Sequence, residues 1–146
     1  MSPDQIHLVR QSFALVLPIA PTAAALFYDN LFGAQPQLRS LFKGDMQDQG
    51  TKLMQMIGAA VGLLDRPQLL MPVLRQLGAR HGGYGVMPAH YDAVGAALLK
   101  TLAQGLGAAF NTPTREAWTA MYTIVATTMI AAADEAARDA AAAVAA

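Results

Sequence analysis

Apolar residues recur along this chain at three- and four-residue intervals, the period of an amphipathic helix. Ile6, Val9, Phe13 and Val16 make the first stripe, preceded by Ser2, Pro3 and Gln5. Those three supply an N-cap, a first helical residue and the far half of a capping box. This helix is predicted to run to about Leu17, where Pro18 and Pro21 interrupt it. Ala24, Phe27, Tyr28 and Leu31 predict a second helix from near Thr22 to near Phe32, stopped by Gly33. Pro36 opens a short helical turn through Leu41, and Phe42-Lys43-Gly44-Asp45 reads as loop. Asp48 is the expected N-cap of the next helix, whose inward stripe is Gln49, Leu53, Met56, Ile57, Ala60, Val61 and Leu64. After Asp65-Arg66-Pro67, residues 68–81 carry Leu70, Val73, Leu74 and Leu77 and finish at His81, with Gly82, Gly83 and Gly85 closing the helix. Pro88 starts another helix, with Tyr91, Val94, Leu98 and Leu102 on one stripe and an end around 105–107. Thr112 as N-cap and Pro113 open the last, with Trp118, Met121, Tyr122, Val125 and Met129 inward. From Ala136 the chain is nearly all alanine; it favours helix but has no apolar stripe to dock, and is expected to fray.

No segment alternates with the period of a strand, and there is no repeat or linker, so the expected fold class is all-α in one domain over 1–146. Hydrophobic residues make up 54% and charged residues 14%, against about 25% charged in an average protein. Such a surplus calls for a thick core, an embedded apolar ligand or an exposed patch. Ten basic and ten acidic residues balance, which gives no reason to expect nucleic acid or an anionic membrane as partner. The absence of cysteine excludes disulfides, thiolate metal sites, cysteine nucleophiles and haem attached through C-x-x-C-H. The start, Ser2-Pro3-Asp4-Gln5, has no basic-then-apolar leader pattern, and the expected location is cytoplasmic. Residues 11–28 and 117–133 are uncharged, but the first holds two prolines and the second four threonines. Both read as buried helices rather than membrane spans. The glycines at 82–85 follow a helix, not a strand, so they are no phosphate loop.

Candidate chemistry centres on His81, which closes an apolar helix face shared with Leu77 four residues earlier. Taken singly, a histidine on such a face is more often a hydrogen-bonded core residue than a ligand. A buried tyrosine such as Tyr28 more often just finds a partner for its hydroxyl. Together, one imidazole facing one tyrosine and one glutamine across apolar surroundings meets the needs of an iron porphyrin that binds a diatomic gas.

The chain resembles the bacterial single-domain globins, close to the haemoglobin domain of flavohaemoglobins and to neuroglobin-like bacterial globins. The matching pieces are Leu26-Phe27-Tyr28-Asp29-Asn30-Leu31-Phe32, Leu41-Phe42, Gln49 through Leu53, Arg80-His81, Tyr84-Gly85-Val86, His90-Tyr91-Asp92-Ala93-Val94-Gly95, and Ala117-Trp118 with Tyr122. The match as a whole extends from about residue 4 to residue 132. The resemblance implies a globin fold around non-covalent haem b, with His81 as the iron ligand through Nε2. The carbonyl of Leu77 is the expected acceptor for its Nδ1–H. It places Tyr91 beside that imidazole, Phe42 flat on the porphyrin, Leu53 as the apolar wall above iron, and Val86 among the cofactor contacts. Lys52 is expected to pair with a propionate, although a solvated lysine is the plain alternative. Tyr28 and Gln49 match the distal positions, and with Tyr91 they are the expected catalytic residues. His7 and His90 read as surface or packing residues. One departure stands out: the glutamate that flavohaemoglobins place on the last helix falls at Ala133, with Asp134 next to it, about 100° round the helix.

As a function the resemblance implies tight, reversible O₂ binding, with NO and CO as further ligands. In its enzymatic form it implies NO dioxygenation to nitrate, with re-reduction by a separate flavin reductase. A gas sensor acting through a partner is the alternative, and a haem-free interaction module is a third reading. The expected state is a monomer or weak homodimer.

Overall fold

The structure is a computed structural model, describing residues 1–145. It is all-α: α1 (Pro3–Val16), α2 (Ala20–Ala34), α3 (Met46–Gly62), α4 (Pro67–Gly83), α5 (Pro88–Leu106) and α6 (Thr112–Ala145), with no strand among the described residues. Short 3₁₀ turns at Leu17–Ile19, Pro36–Leu41 and Gly107–Ala109 join α1 to α2, lead out of α2 and precede the start of α6.

The capping box on α1 forms as expected: Ser2 Oγ accepts from the Gln5 amide at 3.1 Å, and Gln5 Oε1 accepts from the Ser2 amide at 3.0 Å. Four boundaries differ from the sequence reading. Gly33 does not stop α2, which continues to Ala34; Pro36 forces Gln35 out of the helical region, to φ −137° and ψ 77°. The N-cap of α3 is Asp45 rather than Asp48, because Asp45 sits in extended backbone and its Oδ1 accepts the Gln47 amide at 2.8 Å. Gly82 and Gly83 stay inside α4, and the left-handed residue that turns the chain is Gly85, at φ +87°. The cap of α6 likewise moves back one residue, to Asn111, whose Oδ1 accepts the Thr114 amide at 3.1 Å.

One core cluster joins α1 to α6 through Val9, Phe13, Val16 and Trp118. Trp118 is 1% exposed, and its indole N–H donates to Ser12 Oγ at 2.8 Å. Arg10 caps the end of α3 by donating to the carbonyls of Val61 and Gly62 while pairing with Asp65 at 2.8 Å. The most extensive helix pair is α4 with α6. There Gly78 lets the backbones meet: a Cβ on it would lie 2.3 Å from the Met129 carbonyl oxygen.

By length and composition the stretch Pro3–Ala34 is apolar enough to cross a membrane, an 18-residue window within it having mean hydropathy 1.4. Its side chains Val9, Phe13, Val16, Phe27 and Leu31 are taken up by the core instead. The alanine-rich end expected to fray is helical to Ala145, yet every side chain from Ala137 to Val144 is exposed. Alanine's own helix preference is what carries it.

Candidate functional site

His81 lies in the last turn of α4, half-buried, with Nδ1 2.7 Å from the Leu77 carbonyl oxygen. A carbonyl can only accept, so Nδ1 carries the proton and the Nε2 lone pair is left free. This is the orientation expected from the i, i+4 spacing. The next loop is tied to the same residue, since the Val86 amide donates to the His81 carbonyl at 3.0 Å. Gly78, one turn back, fixes how far His81 stands from α6, and the sequence reading did not single it out.

Tyr91, at the start of α5, is 8% exposed and packs with Leu70, Leu74 and Met129, bordered by Leu77 and Val86. Its hydroxyl is the one buried side-chain polar atom without a hydrogen-bond partner among the described residues. Burial raises its pKa, so it remains an O–H donor at neutral pH. Tyr122 Oη donates to the Tyr91 carbonyl at 2.5 Å, holding the α5 backbone rather than the ring. Among the described residues no carboxylate hydrogen-bonds the Tyr91 hydroxyl or the His81 ring. Ala133 faces α4, with its Cβ 2.9 Å from where a Cβ on Gly82 would stand, while Asp134 pairs with Arg138 at 3.0 Å on the surface.

A second group forms around α2. Tyr28 is 7% exposed, stacked 5.7 Å from Phe32 and edge-on to Phe42 at 5.4 Å. Burial alone pushes its pKa up to about 12, with no hydrogen bond contributing. Phe42 and Leu53 are half-buried against the same cluster. Gly50 lets α3 approach α2 closely: a Cβ there would lie 2.9 Å from Ala24 Cβ and 3.9 Å from Tyr28. Gln49 is half-buried, and its Nε2 donates to the Lys43 carbonyl at 2.8 Å. Lys52 is exposed, and Met56, expected inward, is 38% exposed.

These two groups sit on helices with separate packing partners. α3 packs on α2 and α1, and α4 packs on α6, while α5 contributes Ala97 to one cluster and Tyr91 to the other. The structure thus brings Tyr28, Phe42 and Leu53 together on one side, and Leu77, His81, Val86 and Tyr91 on the other. No group of three His, Cys, Asp or Glu that could hold a bare metal ion occurs among the described residues. The donor set fits an iron porphyrin: one imidazole with a fixed ring and a free Nε2, apolar neighbours, and two tyrosine hydroxyls without protein partners.

Comparison with known proteins agrees with this geometry. Residues 25–129 match the family model named Globin. The chain is 28% identical over 133 residues to a flavohemoprotein of Vibrio cholerae, covering 89% of this chain and 34% of that protein. It is 32% identical over 126 residues to a flavohemoprotein of Bordetella parapertussis, covering 84% and 31%. The chain therefore spans about a third of the length of these relatives. Among solved structures, an engineered carbene transferase made from a Rhodothermus marinus protein superposes with TM-score 0.86 at 25% identity, covering 97% and 99% of the two chains. A bacterial globin from Campylobacter jejuni superposes at 0.80 with 22% identity, covering 92% and 97%.

Proposed function

Because this chain belongs to the globin family and takes haem b, we propose that it binds O₂ tightly and reversibly and uses it to convert NO to nitrate. When bound, the haem supplies the iron that holds the gas and the single electron that balances NO + O₂ + e⁻ → NO₃⁻. A flavin reductase outside these 146 residues restores that electron, in keeping with relatives named flavohemoproteins. A reductase supply of this kind fits a cytoplasmic setting. His81 would hold the cofactor through Nε2, with the Leu77 carbonyl fixing the ring and the tautomer. Phe42, Leu53 and Val86 would supply apolar walls, and the exposed Lys52 would pair with a propionate. Tyr91 packs with Leu77 and Val86, the two residues whose backbone groups hydrogen-bond His81, and would keep water from that side of the cofactor.

The observation that carries the reading is the Tyr28 hydroxyl. The residue is 7% exposed, its hydroxyl meets no protein acceptor, and burial pushes its pKa up to about 12, further above neutral pH. Such a group is a standing donor to a gas that gains negative charge on binding, and a charge-assisted hydrogen bond is worth about 1.5–3 kcal/mol. Tyr28→Phe removes the donor at nearly constant volume. O₂ dissociation should quicken roughly ten- to a hundredfold, since about 1.4 kcal/mol is a factor of ten. CO, which draws less charge, should leave at nearly the same rate. Equal acceleration of both gases in stopped-flow would reduce Tyr28 to a packing residue and remove the basis for tight O₂ binding.

A further inference from the structure

We propose that the Lys43–Gly44 turn sets gas affinity by holding the Gln49 amide on the Lys43 carbonyl, so that a bound gas must win this donor from the turn. The inference rests on the gas-binding reading above and concerns how its second donor is controlled. Gln49 Nε2 donates to the Lys43 carbonyl at 2.8 Å across six residues. Tyr28 has no such competitor. The two polar residues are therefore unequal: Tyr28 stands ready, whereas Gln49 contributes only the difference between its bond to the gas and its bond to the turn.

What aims the carbonyl is Gly44. The Lys43 oxygen belongs to the peptide plane between residues 43 and 44, and rotation about the Gly44 N–Cα bond sets how that plane faces α3. Gly44 has φ +83°, in the left-handed region that a residue with a Cβ rarely adopts. Immediately afterwards Asp45 caps α3 through the Gln47 amide at 2.8 Å, which anchors the downstream side of the turn. With α3 held, a change of sign at Gly44 φ turns the Lys43 carbonyl away from Gln49. Gly44→Ala does this without a steric clash, because a Cβ at Gly44 meets nothing within 4 Å. Gly44→Asn is the conservative partner, since asparagine tolerates positive φ far better than alanine.

The test uses the haem-loaded protein. In the diamagnetic CO form, NMR scalar coupling across the hydrogen bond between Gln49 Nε2 and the Lys43 carbonyl carbon reports the contact directly, and stopped-flow gives O₂ dissociation. The expected result is measurable coupling in the wild type and in Gly44→Asn, and none in Gly44→Ala. O₂ release in Gly44→Ala should slow by about two- to tenfold, the span that one net hydrogen bond covers. In a Gln49→Leu background, Gly44→Ala should have no effect on release. Absent coupling in the wild type, unchanged or faster release in Gly44→Ala, or equal slowing in the Gln49→Leu background would each overturn the proposal. If Tyr28→Phe still quickens O₂ release in those cases, the gas-binding reading survives and only the turn's role is lost. If Tyr28→Phe also changes nothing, both fall together.

Discussion

Three glycines on α4 offer a graded test of how His81 is positioned. A Cβ on Gly78 would stand 2.3, 2.5 and 2.8 Å from the carbonyl oxygen, Cα and carbonyl carbon of Met129. All three are backbone atoms of α6, so no side chain can rotate to make room. Ordinary contact requires the helices to separate by about 1 Å across their most extensive interface, and overpacking of this kind costs about 1–3 kcal/mol or more. At roughly 3 °C per kcal/mol for a chain of this size, Gly78→Ala should lower Tm by about 3–9 °C or more. Gly82→Ala meets the Ala133 side chain at 2.9 Å, a milder clash, and should fall in between. Gly83→Ala meets nothing within 4 Å, and should be neutral or gain up to about 0.5 kcal/mol from helix propensity. Thermal and urea unfolding of the apo- and holoproteins would rank the three variants, and haem titration would show whether displacing α4 weakens cofactor binding. Equal stability of Gly78→Ala and Gly83→Ala would refute the claim that close backbone approach fixes α4 on α6.

Loss of the imidazole in His81→Ala should leave protein with little stably bound haem, or with haem restored by added imidazole; a wild-type ferrous spectrum would rule His81 out as the ligand. Since the distal side offers a glutamine rather than an imidazole, unliganded ferrous protein should be five-coordinate, and sharp split visible bands would contradict this. Arg10→Ala should cost about 1 kcal/mol in urea unfolding by leaving the Val61 and Gly62 carbonyls without their donor. The Arg10 hydrogen bond holds the Asp65 carboxyl below its ordinary range, so its stabilisation is present above that range and is lost as pH falls through the depressed pKa. Asp65→Asn should therefore lower Tm at pH 7 and converge on the wild type as pH falls through the depressed pKa; a difference that stays constant into acid would exclude the linkage.

Much of the fold was legible because helices announce themselves locally. The 3.6-residue stripes placed the helices, the Ser2–Gln5 capping box formed as spelled, and Pro88 began α5. The Leu77–His81 bond was equally readable, since a spacing of four residues brings a side chain back to its own helix whatever lies around it. Boundaries failed where two local signals competed. Gly33 reads as a stop, but Pro36 acts through its effect on the preceding residue; Asp45 and Asp48 are both good caps, and the one next to the turn at Gly44 won. What lay beyond the sequence was everything set by distance between helices. Gly50 and Gly78 matter because α2 and α6 happen to pass over them, and Asp134 points to Arg138 rather than to the imidazole because Ala133 occupies the face toward Gly82. Gln49 is the sharpest case. Its residue type offers a donor for a bound gas, but its amide is taken by a carbonyl whose direction follows from one positive φ at Gly44. Residue identity determined which groups this protein can offer, and the packing of α3 beside its turn decided where one of them is held.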